Sequence, residues 1–254
     1  MTKHIRVVTP ITTHGFRKKS DFDGLAGPGT LISHVEIDRG PASIECEYDE
    51  MLAIPDTVAK IIEAERDGAQ AVIIDCMGDP GLKAGRECVS IPVLGPCEAA
   101  MHLAAMLGHT FSVITVLKRL RVQFENQAKL YGCWDKYAST RAVDIPVLAL
   151  EGDLGITKRT LTEQALLAVE QDGADAIIFG CTGMLGCAEA VRDGLLARGY
   201  DIPVIDPVPA AVRLASALID MGISHSRVAY APPPAKPVVG YDMPAMAAHK
   251  QAAE

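Results

Sequence analysis

Short apolar runs, each bounded by glycine, proline or charged residues, alternate along this chain with stretches in which apolar residues recur every three or four positions. The first kind reads as strands buried on both faces, the second as amphipathic helices. Ile5–Pro10 (IRVVTP) predicts a first strand closed by a turn, and the polar, glycine-rich Phe16–Gly29 a loop. Thr30–Ile37 (TLISHVEI) predicts a second strand and Arg39–Asp49 a connection. Pro55–Asp67 carries Val58, Ile61, Ile62 and Ala64 at helical spacing, with Pro55 suited to a first turn. Ala71–Asp75 (AVIID) predicts a third strand, Ile91–Leu94 a fourth, and Cys97–Leu107 a helix.

The pattern then restarts. Phe111–Thr115 (FSVIT) matches Ile5–Thr9 (IRVVT) at an offset of 106 residues, and Ile202–Pro207 (IPVIDP) echoes Ile91–Pro96 (IPVLGP) at an offset of 111. Between them the pattern predicts a helix over Leu120–Tyr131, a strand at Pro146–Leu150, a helix over Thr157–Asp172, a strand at Ala176–Gly180 and a helix over Cys187–Arg198. Pro209–Met221 predicts a last helix, Pro232–Pro234 and Pro237 end regular structure, and the tail after Gly240 is expected to be loose or to pack on a neighbour. Alternating strands and helices predict a parallel α/β fold. The repeat predicts two similar Rossmann-like halves related by a pseudo-twofold axis, with the active site in the cleft between them. Residues 1–108 with 208–254 would form the first half and 109–207 the second.

The repeat also places two cysteines in equivalent positions. Glu65–Gly78 reads ERDGAQAVIIDCMG and Glu170–Gly183 reads EQDGADAIIFGCTG, identical at eight of fourteen positions, with Cys76 against Cys181. Each cysteine follows its strand and enters a glycine-containing turn, at the strand end where open parallel sheets bind ligands. That position favours chemistry over two core thiols merely kept by duplication. Met77–Gly81 and Thr182–Met184 are turns that can present backbone N–H groups to a thiolate or an enolate oxygen. Asp79 could alternatively be an N-cap with Pro80 in the first turn. Two facing thiols suit removal of a proton beside a carbonyl by one and its return to the opposite face by the other. That reaction requires no metal and no organic cofactor.

Composition narrows the partners. The 254 residues carry a formal net charge of −8 without a basic stripe, which argues against nucleic acid and anionic membranes but leaves small substrates open. No apolar run approaches the ~18 residues of a membrane span. The first residues read as a strand rather than a signal peptide, so a cytoplasmic location is expected. Seven cysteines, irregularly spaced and without a CxxC pair, argue against a disulfide framework, a zinc site or a thioredoxin-like motif. Cys46, Cys88, Cys97, Cys133 and Cys187 are expected as small buried hydrophobes. HExxH, GxxxxGK[ST] and GxSxG are absent, Gly24–Thr30 is a weak phosphate loop, and His14 and His34 fall near strand ends.

The segment Cys76-Met77-Gly78-Asp79-Pro80-Gly81-Leu82 resembles the first cysteine motif of the hydantoin racemases. Gly180-Cys181-Thr182-Gly183-Met184 resembles their second, usually Gly-Cys-Ala-Gly-Met, and Gly40–Glu45 (GPASIE) resembles a third segment. The resemblance runs from the first strand to about Val208. It implies membership of the aspartate/glutamate racemase superfamily, with two α/β halves and no cofactor. It further implies a homo-oligomer and a small-molecule substrate, a 5-substituted hydantoin or allantoin. Cys76 and Cys181 would be the acid and base. Backbone at Gly78, Thr182 and Gly183 would hold the ring, with Asp79 beside it. The loop Pro10-Ile11-Thr12-Thr13 and its counterpart around Thr115-Val116 would close over it. Ile11 stands where the family commonly has asparagine, and Arg17–Thr30 looks extended, a lid or an inert insertion. Amino-acid racemases of the superfamily usually show Asn-Thr and Thr-Glu after the two cysteines, and arylmalonate decarboxylases keep one cysteine. Here Met77-Gly78 and Thr182-Gly183 stand instead, so Thr182 fits the amino-acid racemases and Gly183 does not. An aspartate/glutamate-type amino-acid racemase stays an alternative, as do the maleate isomerases, which keep both cysteines, one as nucleophile. A non-catalytic binding protein on the same scaffold and a thiol redox sensor also stay open.

Overall fold

The computed structural model describes residues 2–25 and 27–246. Its framework is a pair of four-stranded parallel sheets. The first holds β1 (Lys3–Thr9), β2 (Thr30–Glu36), β3 (Ala71–Ile74) and β4 (Val93–Leu94) in the order β2-β1-β3-β4. The second holds β5 (Phe111–Thr115), β6 (Tyr137–Ala142), β7 (Ile177–Phe179) and β8 (Val204–Ile205) in the order β6-β5-β7-β8. The α-helices are α1 (Glu47–Arg66), α2 (Leu82–Cys88), α3 (Pro96–Leu107), α4 (Arg121–Leu130), α5 (Leu154–Asp172), α6 (Ala188–Leu196) and α7 (Pro207–Met221). One strand order used twice is the α/β architecture the sequence repeat predicts.

Alternation along the central strands explains their apolar runs. Ile5, Val7, Ala71 and Ile73 pack against α7, whereas Val8, Val72 and Ile74 pack against α1 and α2. With both faces covered, no position of β3 is left for a polar residue. The last helix of each repeat crosses to the other repeat's sheet. Ala100, Met101 and Ala104 of α3 pack with Phe111, Val113 and Ile177 of the second sheet. Val208, Ala211, Val212 and Ala215 of α7 pack on β1 and β3.

Past α7 the chain is tied to the first half. Val93 N–H donates to His225 Nε2 at 2.8 Å, and Arg227 donates to the carbonyls of Arg86 and Val89 at 2.9 and 2.7 Å, where α2 ends. Gly240–Met243 lie along α1 beside Met51 and Leu52; the end of the tail, residues 247–254, lies outside the described residues. Among the described residues no helix is long and apolar enough to cross a membrane.

Four expectations need correction. Pro146–Leu150 is not a strand: Val147–Ala149 forms a 3-10 turn, and the second strand of that half is β6. β6 is an edge strand, so its sequence YASTRA is polar, with Ser139 and Arg141 both donating to Asp172 Oδ2 at 2.6 Å. Helix α1 starts at Glu47 rather than Pro55; Glu47, Asp49 and Glu50 favour its N-terminal dipole, and Pro55 lies inside it. The pattern predicts no helix between β3 and β4, but α2 forms there after Gly81, which takes φ 77°. Cys46 is half-buried rather than buried and stands at the N-cap position of α1, without a capping bond from its side chain.

Candidate active site

The strand order puts β1 beside β3 and β5 beside β7, at the point in each sheet where the connection reverses direction. Their carboxyl ends meet around a cavity of about 40 Å³ into which Cys76 and Cys181 both open. Pro10, Ile11, Gly78 and Thr182 line it with them, and Phe16, Ile44, Val116 and Val147 give it apolar walls. The repeat supplies the same local device on both sides. Gly78 N–H points at Cys76 Sγ (3.4 Å) and Gly183 N–H at Cys181 Sγ (3.3 Å). The second bond belongs to the 3-10 turn Thr182–Met184.

Four other expected site residues do not line the cavity. The Thr13 hydroxyl donates to the Ala42 carbonyl at 2.7 Å and joins two surface loops. Thr115 is buried beneath the site and donates to the Gly180 carbonyl at 3.3 Å. Gly183 stands behind Cys181, where a Cβ would lie 3.0 Å from Leu150 and 3.2 Å from Phe16. Asp79 faces away altogether. Its carboxylate accepts from the N–H groups of Cys97 (3.1 Å) and Glu98 (2.9 Å) and from the Tyr131 hydroxyl (2.7 Å). Asp79 therefore caps α3 from a distance rather than a helix of its own. A Cβ at Gly95 would fall 2.3 Å from the Asp79 carboxyl carbon, so this approach requires glycine.

Two charged residues that the sequence does not single out lie under the site. Arg17 is 7% exposed and grips Asp75 with two hydrogen bonds, Nε to Oδ2 at 2.7 Å and Nη2 to Oδ1 at 2.8 Å. Nη2 also donates to the Thr182 carbonyl at 2.6 Å, so the guanidinium ties β3 of the first half to the second cysteine motif. Thr182 returns a bond from its hydroxyl to the Asp75 carbonyl at 3.1 Å. Burial alone would raise the Asp75 carboxyl, but Arg17 more than offsets it and holds the group below the ordinary range. Arg17 and Phe16 make the start of the Arg17–Thr30 loop part of the site. Farther along, Phe22 is buried on the first sheet. An acidic residue closing a buried strand was the available signal for Asp75, since such a charge needs a partner. No local signal marks Arg17.

Burial dominates both thiols. Cys181 is pushed up to about 11 by burial, moderated by the Gly183 N–H and the Arg17 charge. Cys76 is pushed well above the ordinary thiol range by burial and then by the nearby Glu50 carboxyl, with the Gly78 N–H opposing. Glu50 in turn is raised to about 8 by burial and by Glu47 and Asp79. Its Oε2 accepts from Gln123 Nε2 at 2.6 Å. Two poorly ionised thiols sharing one mostly apolar cavity can act as a strong base and a proton donor toward a neutral molecule held between them.

Known proteins share this arrangement of elements. The model of the Asp/Glu/Hydantoin racemase family matches residues 18–215. A hydantoin racemase of Rhizobium meliloti is 40% identical over 241 residues, which cover 94% of this chain and 98% of that protein. A hydantoin racemase of Pseudomonas sp. (strain NS671) is 37% identical over 239 residues, covering 93% and 94%. The structure of an allantoin racemase from Klebsiella pneumoniae superposes with a TM-score of 0.86 at 34% identity, covering 94% of this chain and 96% of that one.

Proposed function

The chain belongs to the Asp/Glu/hydantoin racemase family, and on that premise we propose that it racemises 5-substituted hydantoins or allantoin by passing a proton between ring carbon C5 and two cysteines. The observation that carries the proposal is that Cys76 and Cys181, from opposite halves, line one cavity. A flat ring between them would offer one face to each sulfur. The C5 proton is acidified by the neighbouring C4 carbonyl, and its loss leaves an enolate. One thiolate takes that proton while the other thiol protonates C5 from the opposite side, which inverts the centre. The N–H groups of Gly78 and Gly183 hold charge on whichever sulfur is ionised.

Cys181 is the more readily ionised of the pair, because Arg17 lies near it whereas Glu50 lies near Cys76. Arg17 itself is spent on Asp75 and does not reach into the cavity as a free cation. The apolar walls formed by Ile11, Phe16, Ile44 and Val147 therefore suit a neutral cyclic ureide better than a zwitterionic amino acid.

The test is proton NMR in D2O on single enantiomers of benzylhydantoin, isobutylhydantoin, allantoin, aspartate and glutamate, with optical rotation followed in parallel. Loss of the α-proton signal with loss of rotation is expected for a hydantoin or allantoin, and Cys76→Ser or Cys181→Ser should abolish the racemisation. Exchange confined to aspartate or glutamate would overturn the substrate assignment, and serine variants that racemise at the parent rate would overturn the two-thiol mechanism.

A further inference from the structure

A second cavity, of about 550 Å³, opens beyond Gly78. Gly78 and Gln123 line both this space and the catalytic cavity. The partition at that point is the hydrogen bond from Gln123 Nε2 to Glu50 Oε2, laid against the Gly78 backbone. A Cβ on Gly78 would fall 2.7 Å from that oxygen and 2.9 Å from that nitrogen. Glu50 comes from α1 of the first half and Gln123 from α4 of the second, so the partition spans the two halves.

Size decides where a substrate must extend. A cavity of about 40 Å³ holds on the order of three waters, less than a five-membered ring with a substituent. With the ring held between the two sulfurs, Ile11, Ile44 and Val147 form an apolar wall of the cavity, whereas on the Gly78 side a single polar contact is backed by open volume.

We propose that Glu50 and Gln123 form the subsite for the C5 substituent and select ureido or carboxamide groups, so that allantoin is preferred over hydantoins with apolar substituents. This rests on the racemase assignment above. A carboxamide, and a carboxyl that keeps its proton, each present an acceptor beside a donor, which matches the adjacent C=O and N–H of a ureido group. The upward shift of Glu50 to about 8 leaves its carboxyl largely neutral at pH 7, as such a pairing requires. A ureido group replaces the Gln123–Glu50 bond with bonds to itself, so no buried polar atom is stranded. A benzyl group in the same place separates the two side chains and satisfies neither. Asn126 and Lys83 continue the polar lining beyond the pair.

The experiment measures kcat/KM for enantiopure allantoin and benzylhydantoin with the wild type, Glu50→Leu, Glu50→Gln and Gln123→Leu, each checked for native circular dichroism. The wild type should favour allantoin. Glu50→Leu should lower the allantoin-to-benzylhydantoin ratio by about tenfold or more, while Glu50→Gln, which keeps a donor beside an acceptor, should hold most of it. Gln123→Leu supplies the second variant should Glu50→Leu fail to fold, and it should lower the same ratio. A ratio unchanged in the folded leucine variant, or a loss of equal size on both substrates, would overturn the subsite. A wild type that prefers benzylhydantoin would also overturn it while leaving the racemase assignment standing. A wild type inactive on both substrates and on isobutylhydantoin would end the two together, whereas activity on isobutylhydantoin alone would overturn only the subsite.

Discussion

Replacing Arg17 by methionine measures what the buried ion pair contributes. The side chains of Arg17 and Asp75 are 2% and 0% exposed, so solvent screening does little to soften the change. Arg17→Met leaves the Asp75 carboxylate with the Thr9 hydroxyl at 2.9 Å in place of two further bonds to a guanidinium, and it strips the Thr182 carbonyl of its donor. Breaking a buried pair from one side costs about 3–5 kcal/mol. The stranded carboxylate can escape by taking up a proton. At pH 7 that costs about 4 kcal/mol, roughly three pH units above its reference value at about 1.4 kcal/mol each. The two estimates agree, so the variant should lose about 3–5 kcal/mol at pH 7. The sign of the pH dependence follows. In the wild type the Asp75 carboxyl is lowered, so its stabilisation is present above the unfolded value and is lost as pH falls through the folded one. In the variant the folded carboxyl is raised, so stability falls as pH rises from the unfolded value towards the folded one. The deficit should therefore shrink by about 1.4 kcal/mol per unit between pH 7 and pH 4. Adding Asp75→Leu removes the remaining charge and should recover most of the loss. Urea unfolding followed by circular dichroism at pH 5 and pH 7 reads all of this. A loss below about 1 kcal/mol at pH 7, a deficit independent of pH, or no recovery in the double variant would refute the reasoning.

Other consequences are simpler to state. If Cys181 acts as a thiolate while raised to about 11, log kcat/KM should climb with pH through neutrality. A plateau beginning below pH 8 would count against it. Asp79→Ala removes the acceptor for two N–H groups at the start of α3 and for Tyr131; a loss of about 1–3 kcal/mol in urea unfolding is expected. Gly180→Ala would place a Cβ 2.8 Å from both Thr115 and Val113 and 3.0 Å from Phe124. It should cost about 1–3 kcal/mol and slow turnover by displacing Cys181, and a neutral outcome in both assays would show that the strand end yields freely.

Elements whose packing is written into local pattern were legible from the chain. β1, β3 and β5 are buried on both faces and appear as apolar runs, and α7 shows its stripe of Val208, Ala211, Val212 and Ala215. β6 escaped because an edge strand is half exposed and bonds through Ser139 and Arg141, while the more apolar Val147 lines the site and Leu150 is buried in the core without either being in a strand. α2 escaped because it is short and carries Gly85, whose missing side chain admits Ile61 to within 2.8 Å of where a Cβ would stand. Within the site the cysteines announced themselves through the repeat. Arg17 and Glu50 did not, because each acquires meaning from residues at Asp75 and Gln123 that lie far along the chain. Asp79 sits beside a cysteine in sequence, yet its left-handed backbone (φ 52°) turns the carboxylate toward α3.

The sequence repeat sets Gly180 opposite Asp75, so the guanidinium clamp exists on one side of the cleft and has no counterpart on the other. For the proposed reaction this matters in a particular way. Mirror-image reactant and product have equal free energies, so the equilibrium constant between them is unity whatever the catalyst looks like. The two directions must then share one value of kcat/KM even though their bases sit in unlike surroundings. A one-sided charge can therefore neither enrich a left-handed nor a right-handed product. It is confined to trading turnover against saturation, raising kcat and KM together for one enantiomer relative to the other.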